Sequence, residues 1–377
     1  MGSQPKILTV VGTRPEAIKL FPLIHALRAD GRLAARVCAT GQHAGMLADV
    51  LALAGITPDH DLGLMCAGQS LDRLTARLIE TIGEVLDRER PEAVIVQGDT
   101  TSAFAGALAA HYRQISVAHV EAGLRSGNMH HPWPEEFNRK AIAALADWHF
   151  APTDAARNAL LVENVRRQSV HVTGNTVIDA LLWMRARLAR QPSLAERMSA
   201  IEQACHGRRI IAVTCHRREN LDGGVERIAA ALAELAARND VAIVLPLHPN
   251  PSVRASFLDA LSCRDQVHLV EPLGYPDFVR LLECAHLVLT DSGGVQEEAP
   301  AFGTPVLVMR ETTERLEGIA AGTARLVGTD SDRIVAETAR LLDDPVAHAT
   351  MGQAHNPYGD GRASGRIVDV LAAALGT

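Results

Sequence analysis

LVLTDSGGVQEEAPAFGTPVLVMRETTER, residues Leu287 to Arg315, begins with an apolar run (Leu287, Val288, Leu289) that stops at Asp291-Ser292-Gly293-Gly294. A helix-compatible segment follows, and a second apolar run, Val306-Leu307-Val308, closes the unit. This is strand, glycine turn, helix, strand, the unit from which parallel α/β sheets are built. Two glycines let backbone N–H groups face a ligand closely, and the helix N-terminus behind them favours negative charge. Ser292 adds a hydroxyl at the same place. Glu298 lies about one and two-thirds turns further along, where a carboxylate accepts hydrogen bonds from hydroxyls. Taken alone, the segment is equally compatible with a tight βα turn carrying an exposed acidic helix face.

The same alternation extends in both directions. Residues 6–11 (KILTVV) form a strand pattern that turns at Gly12-Thr13-Arg14-Pro15-Glu16 into a helix, with Pro15 suited to the first helical turn. Further strands are expected at Ala35–Thr40, AVIVQGD and ISVAHVEAG, with helices at Leu71–Arg88 and Ser102–Tyr112 between them. Helical segments around Glu135–Ala146 and Asp154–Glu163 end this half, and HVTGNTVIDALL leads onward. The pattern restarts at RIIAVTCHRREN and VAIVLPLHP, and the chain closes with helices near Asp332–Leu342 and Gly365–Leu375. Two α/β sets of this length predict two Rossmann-like domains.

At 377 residues the chain exceeds a usual single core, so two domains are the default. A formal net charge of −7 argues against general nucleic-acid binding while leaving room for a local basic pocket. The apolar runs are strand-sized, so no membrane span is expected, and the first residues lack the layout of a signal peptide. The six cysteines are scattered without C-x-x-C pairs, which suits reduced thiols and a cytoplasmic location.

Ligands of open α/β sheets bind beyond the carboxyl ends of the strands. The charged residues there are Arg14, Asp99, Glu121 and nearby Arg125 in the first half, and His216, Arg217, His248 and Asp291 in the second. Arg14 beside a helix N-terminus suits a phosphate, whereas Lys19 alone suits an ordinary surface cation. Asp99 serves equally as a helix cap. A carboxylate at the depth of Glu121 needs a partner; Arg125 is one candidate, and acid–base use of the carboxyl is the alternative. Glu135 and Arg139 share a helix face after the rigid loop His130–Pro134, a spacing that also fits a surface ion pair. The adjacent His130 and His131 lack the spacing of a metal site. His216 with Arg217 and Arg218 forms a candidate anion site, and His248-Pro249 is expected to shape a loop.

The chain resembles the non-hydrolysing UDP-N-acetylglucosamine 2-epimerases. The resemblance rests on VVGTRPEAIKL, GQH, GDTTS, HVEAGLRSG, PWPEEFNR, TGNTVIDALLW, HRREN, LTDSGGVQEEAPAFGTPVLVMRETTERLE, GTARLVGTD and AHNPYGDG, which span almost the whole chain. It implies a GT-B-like α/β architecture with a central cleft: an N-terminal domain over 1–172, a UDP-binding domain over 173–361, and a C-terminal helix over 362–377 returning to the first domain. It implies a cytoplasmic homodimer, without cofactor or metal, that converts UDP-GlcNAc reversibly to UDP-ManNAc for surface polysaccharide synthesis. The reaction implied is anti elimination of UDP to a 2-acetamidoglucal, followed by re-addition.

Matched position by position, Asp99, Glu121 and Glu135 correspond to the acid/base carboxylates, and His216 to the group assisting the departing UDP. Arg14, Lys19 and Arg139 correspond to the sugar-side pocket and phosphates. Ser292, Gly293 and Gly294 match the diphosphate turn, Glu298 the ribose contact, and Arg315 the phosphate region. Gln42, Gln69, Glu136 and Arg217 match the neighbours of a second, activating UDP-GlcNAc. This chain departs from the family at Gln97 (usually His), Cys215 (commonly Gly), Ala44-Gly45 and Gly68, and the missing cations weaken the assignment of the activating site. The alternatives are a hydrolysing 2-epimerase that releases ManNAc, an epimerase of a UDP-2,3-diacetamido uronic acid, a GT-B glycosyltransferase, and a catalytically silent nucleotide-sugar sensor. The glycosyltransferase leaves three first-half carboxylates unexplained, and the sensor is expected to lack at least one of Asp99, Glu121, Glu135 and His216.

Overall fold

A computed structural model describes residues 4–41, 44–64, 68–217, 220 and 222–377. The chain forms two compact units, one comprising residues up to Ala180 together with Tyr358–Thr377, the other Leu181–Pro357. The joins fall later than 172/173 and earlier than 361/362, the positions expected from the sequence.

In the first unit β1 (Lys6–Val11), β2 (Ala34–Ala39), β3 (His60–Asp61), β4 (Ala93–Gln97), β5 (Ser116–Val120), β6 (Trp148–Ala151) and β7 (Val170–Val172) form one sheet. Its order is β3-β2-β1-β4-β5-β6-β7, and every pairing is parallel. Helices α1 (Arg14–Asp30), α2 (Ala44–Leu53), α3 (Leu71–Glu89), α4 (Thr101–His111), α5 (Glu135–Leu145), α6 (Asp154–Val162) and α7 (Thr176–Arg190) connect or follow the strands. Both faces of a parallel sheet are covered, so β1 and β4 are mostly apolar and buried along nearly their whole length. The small residues of α4 bring it close to the sheet: a Cβ on Gly106 would meet Val96 and Val10 at 3.3–3.4 Å. The two strands β6 and β7 were not anticipated. They are short, and His149 and His171 interrupt their apolar runs.

The second unit repeats the topology. After α8 (Glu196–Ala204), strands β8 (Arg209–Thr214), β9 (Val241–Pro246), β10 (Val267–Val270), β11 (Ala285–Thr290), β12 (Val306–Val308) and β13 (Ala324–Leu326) lie in the order β10-β9-β8-β11-β12-β13. Helices α9 (Gly224–Leu235), α10 (Pro251–Leu261), α11 (Tyr275–Cys284), α12 (Gly293–Glu298), α13 (Leu316–Ala321), α14 (Ser331–Asp343) and α15 (Pro345–Gly352) belong to this unit. The helix expected after the Gly293-Gly294 turn is only six residues long. A 3-10 turn over Ala299–Phe302 follows it, because Pro300 lacks a backbone donor and Gly303 turns out at φ +74.

The C-terminal helix α16 (Ala363–Ala374) packs on α1, as expected, with Ile367, Val368 and Leu371 buried. Its first N–H groups are capped by a side chain from another helix: Asp179 of α7 accepts from Ala363 N (3.2 Å) and Ser364 N (2.8 Å). Asp179→Ala leaves these buried donors without their acceptor and is expected to lower unfolding stability by about 1–3 kcal/mol. Asp179→Asn, which keeps an acceptor, should cost less. Urea unfolding of the two variants checks the order.

Candidate active site

Both sheets reverse their strand order once, between β1 and β4 and between β8 and β11. At these switch points the loops after adjacent strands diverge and leave a crevice at the carboxyl ends. Many of the described candidate residues lie at or beside these two places.

At the first, the turn after β1 presses against the start of α4. A Cβ on Gly12 would lie 2.2 Å from Ser102 Oγ, so only glycine fits. Thr13 caps α1 by accepting from Glu16 N (3.4 Å), and Glu16 reaches back to accept from Gly12 N (3.1 Å), a capping box. The other oxygen of Glu16 accepts from Thr100 Oγ1 at 2.7 Å, while Thr100 itself caps α4 through Ala103 N. Glu16, unremarked in the sequence, therefore ties the loop bearing Arg14 to the loop bearing Asp99. Its burial pushes its carboxyl up to about 7.

Glu121 ends β5 with φ +64, a left-handed conformation that costs a residue other than glycine on the order of 1–3 kcal/mol. Its buried carboxylate accepts two contacts from Lys19 Nζ at 2.6 and 2.7 Å, one from Asn175 Nδ2 at 3.0 Å, and a short one from Gln97 Nε2. Lys19 is thus a partner of Glu121 and no simple surface cation. Arg125 turns instead to Glu163 (2.6 Å), because the loop after β5 carries it toward the end of α6. His119 donates through Nε2–H to the Gly98 carbonyl (2.8 Å), and burial lowers its pKa to about 3, so it stays neutral.

Asp99 accepts from Arg139 Nε (3.1 Å) and from the same guanidinium's terminal nitrogen, while Asn138 Nδ2 holds the Asp99 carbonyl at 2.9 Å. Arg139 also reaches Glu136 (3.1 Å), so its ion pairs run to Asp99 and to i−3. Glu136 is fully buried, and its oxygens additionally accept from Ser126 N and Gly127 N. Glu135 and Arg14 are half-buried at the first turns of α5 and α1. Gln69 meets Arg77 (3.3 Å). Gln42 and Arg218 lie outside the described residues.

At the second switch point, Asp291 is completely buried after β11. One of its oxygens accepts from His216 N (2.9 Å), Arg217 N (2.8 Å) and Asn220 Nδ2 (3.0 Å); the other faces His216 Nδ1 at 3.3 Å. This fixes the His216 ring, which also stacks on His248 at 5.7 Å between centroids. Burial lowers the His216 pKa, and the Asp291 charge opposes that shift. His248 does shape its loop, accepting from Asn250 N at 3.2 Å. Arg217 lies 3.7 Å from Glu314.

Ser292 precedes Gly293 and Gly294 at the start of α12. Arg315 lies across Gly293, with its guanidinium carbon 3.4 Å from where a Cβ would be. Glu297, buried beneath, accepts from Arg315 Nε at 2.7 Å. Glu298 Oε1 lies 3.6 Å from the corresponding point on Gly294. The turn, a guanidinium and two carboxylates thus share one place. Glycine removes the steric bar to an anion at the backbone N–H groups, and Arg315 supplies positive charge.

Fold and sites define a two-unit Rossmann-like α/β enzyme with a carboxylate cluster in one unit and a histidine–arginine–glycine-turn cluster in the other. The family model described as UDP-N-acetylglucosamine 2-epimerase matches residues 25–372. The Salmonella typhimurium UDP-N-acetylglucosamine 2-epimerase is 52% identical over 371 residues, 97% of this chain and 98% of that one. The UDP-GlcNAc-bound structure of the Neisseria meningitidis UDP-GlcNAc 2-epimerase is 45% identical, with a TM-score of 0.89 over 98% of this chain and 100% of that chain. The Methanocaldococcus jannaschii UDP-GlcNAc 2-epimerase in complex with UDP-GlcNAc and UDP is 33% identical, with a TM-score of 0.79 over 98% and 99%. The chain belongs to the UDP-N-acetylglucosamine 2-epimerase family, and its two Rossmann-like α/β units are those the sequence resemblance implied.

The raised Glu16 carboxyl gives a pH signature. Stability from its protonated form is fully present below the unfolded value of 4.5 and is lost as pH rises through about 7. The loss is on the order of 3 kcal/mol. Glu16→Gln is therefore expected to flatten the fall in melting temperature between pH 5 and pH 8. Parallel curves for the two proteins would show that Glu16 is not the group responsible.

Proposed function

We propose that the protein interconverts UDP-N-acetylglucosamine and UDP-N-acetylmannosamine by inverting C2. The observation that carries this reading is similarity along the chain: 52% identity to a bacterial enzyme named for the reaction, over 97% of this chain and 98% of that one. Asp99, Glu121, Glu135 and His216 are all present, which argues against a silent sensor.

The proposed chemistry follows from what elimination demands. A base takes the weakly acidic C2 proton, its electrons form the C1–C2 double bond, and the anomeric C–O bond breaks to release UDP. Return of UDP to C1, with a proton delivered to the other face of C2, gives the epimer. Asp99, Glu121 and Glu135 would be the proton-transfer carboxylates. Lys19, Gln97 and Asn175 around Glu121, and Arg139 around Asp99, would hold them in place. In the second unit, the N–H groups of Ser292, Gly293 and Gly294 with Arg315 would hold the diphosphate, and Glu298 the ribose hydroxyls. His216, oriented by Asp291, would assist the leaving UDP, and Arg14 would steady the phosphates. The proposal places the enzyme as a cytoplasmic homodimer supplying a surface polysaccharide precursor. None of the described helices is long and apolar enough to cross a membrane.

Proton NMR of the purified protein with UDP-GlcNAc in D2O tests the reading. UDP-ManNAc should accumulate with deuterium at C2. Free ManNAc with UDP would replace the reading with a hydrolysing reaction, and no turnover at any UDP-GlcNAc concentration would overturn it.

A further inference from the structure

We infer that Asn175 is a positioning residue that orients the Glu121 carboxylate and anchors it to the segment through which the chain leaves and re-enters the first unit. The inference rests on the proposed acid–base role of Glu121. Asn175 is 2% exposed. Its Oδ1 accepts from Val177 N (3.1 Å), capping the start of α7, and this settles which way the amide faces. The Nδ2 is then the group aimed at Glu121 Oε1, 3.0 Å away. Its backbone N donates to Tyr358 O at 2.7 Å, so the outgoing and returning segments are joined at this residue.

The neighbouring glycines make that join close. Gly174 has φ +88 and Gly359 φ +144, and a Cβ on Gly174 would lie 3.3 Å from Gly359 Cα. Backbone meets backbone, and the Asn175 amide is delivered to the carboxylate with little freedom. Arg366 Nη1 adds a hydrogen bond to Thr173 O at 3.0 Å, tying the same place to α16.

The residue type is what separates this role from a plain helix cap. Aspartate and serine cap a helix N-terminus about as well as asparagine. A serine hydroxyl can also accept and donate, but it ends one bond nearer the backbone than the amide that reaches Glu121 from the cap, and aspartate would set a second negative charge against Glu121. The charged or titratable groups facing Glu121 include Lys19 from α1 and the neutral His119 of β5, while Gln97 of β4 brings an uncharged amide.

The test compares Asn175→Asp and Asn175→Ser with the unsubstituted protein. In protein labelled with 13Cδ-glutamate, the Glu121 resonance, assigned by its loss in Glu121→Gln, is followed through a pH titration. Removing the donor should move its midpoint to higher pH, by about one unit or more in Asn175→Asp. In turnover, kcat should fall at least about tenfold with KM changed less than about threefold, and the limb of the pH profile governed by Glu121 should move the same way. An unchanged Glu121 titration in a folded Asn175→Ser or Asn175→Asp variant would overturn the inference and leave Asn175 as a cap. Failure of the unsubstituted protein to epimerise would overturn the proposed function, and the titration would still decide the role of Asn175.

Discussion

The Glu121 carboxylate is buried, and the carboxyl-end face of the first sheet is arranged to satisfy it. A buried charge without partners would cost several kcal/mol or simply take up a proton. Here Lys19 comes from α1, Gln97 from β4 and Asn175 from the entry to α7, three parts of the chain converging on one side chain. The left-handed backbone at Glu121 belongs to the same arrangement, since the residue must leave β5 sharply to reach those donors. Asp99 and Arg139 form the second pair, braced by Glu136 from below. The topology makes this convergence ordinary: β1, β4 and β5 are neighbours, so the loops after them open side by side.

The second unit solves a related problem with the same strand order. Asp291 is buried after the strand equivalent to β4, as Asp99 follows β4 itself, but it binds inward. It gathers the backbone of His216 and Arg217 and faces the His216 ring, so a histidine and a glycine turn are held beside each other. Glu297 does the same for Arg315. In both units a side chain of the proposed site is steadied by a buried carboxylate: Glu136 for Arg139, Asp291 for His216 and Glu297 for Arg315.

This division explains what could be read from the amino acids alone. The turn Asp291–Gly294, the strand-end residues Arg14, Asp99, Glu121 and His216, and the restart of the α/β pattern near Arg209 are local signals, carried by adjacent residues. The supporting partners are long-range. Gln97 and Asn175 are neutral amides with no chemical signature in a sequence, and each meets Glu121 only after the sheet forms. Arg125 lies four residues from Glu121 and invites pairing, yet the fold sends it to Glu163 and brings Lys19 from more than a hundred residues away. Glu16 resembles an ordinary first-turn acid until α4 closes over it. The strands β6 and β7 carry little signal in the amino acids, because three or four residues broken by a histidine leave little periodicity.

The proposed reaction turns on this held carboxylate transferring the C2 proton. Its most direct measure is the rate of deuterium entry at C2 of UDP-GlcNAc with Glu121→Gln, which keeps the shape and removes the charge. The substitution should slow that entry by about 10²–10⁴-fold, with UDP affinity retained because the residues proposed to hold UDP lie in the other unit. Exchange within tenfold of the unsubstituted protein would contradict it and move the proton transfer to another group.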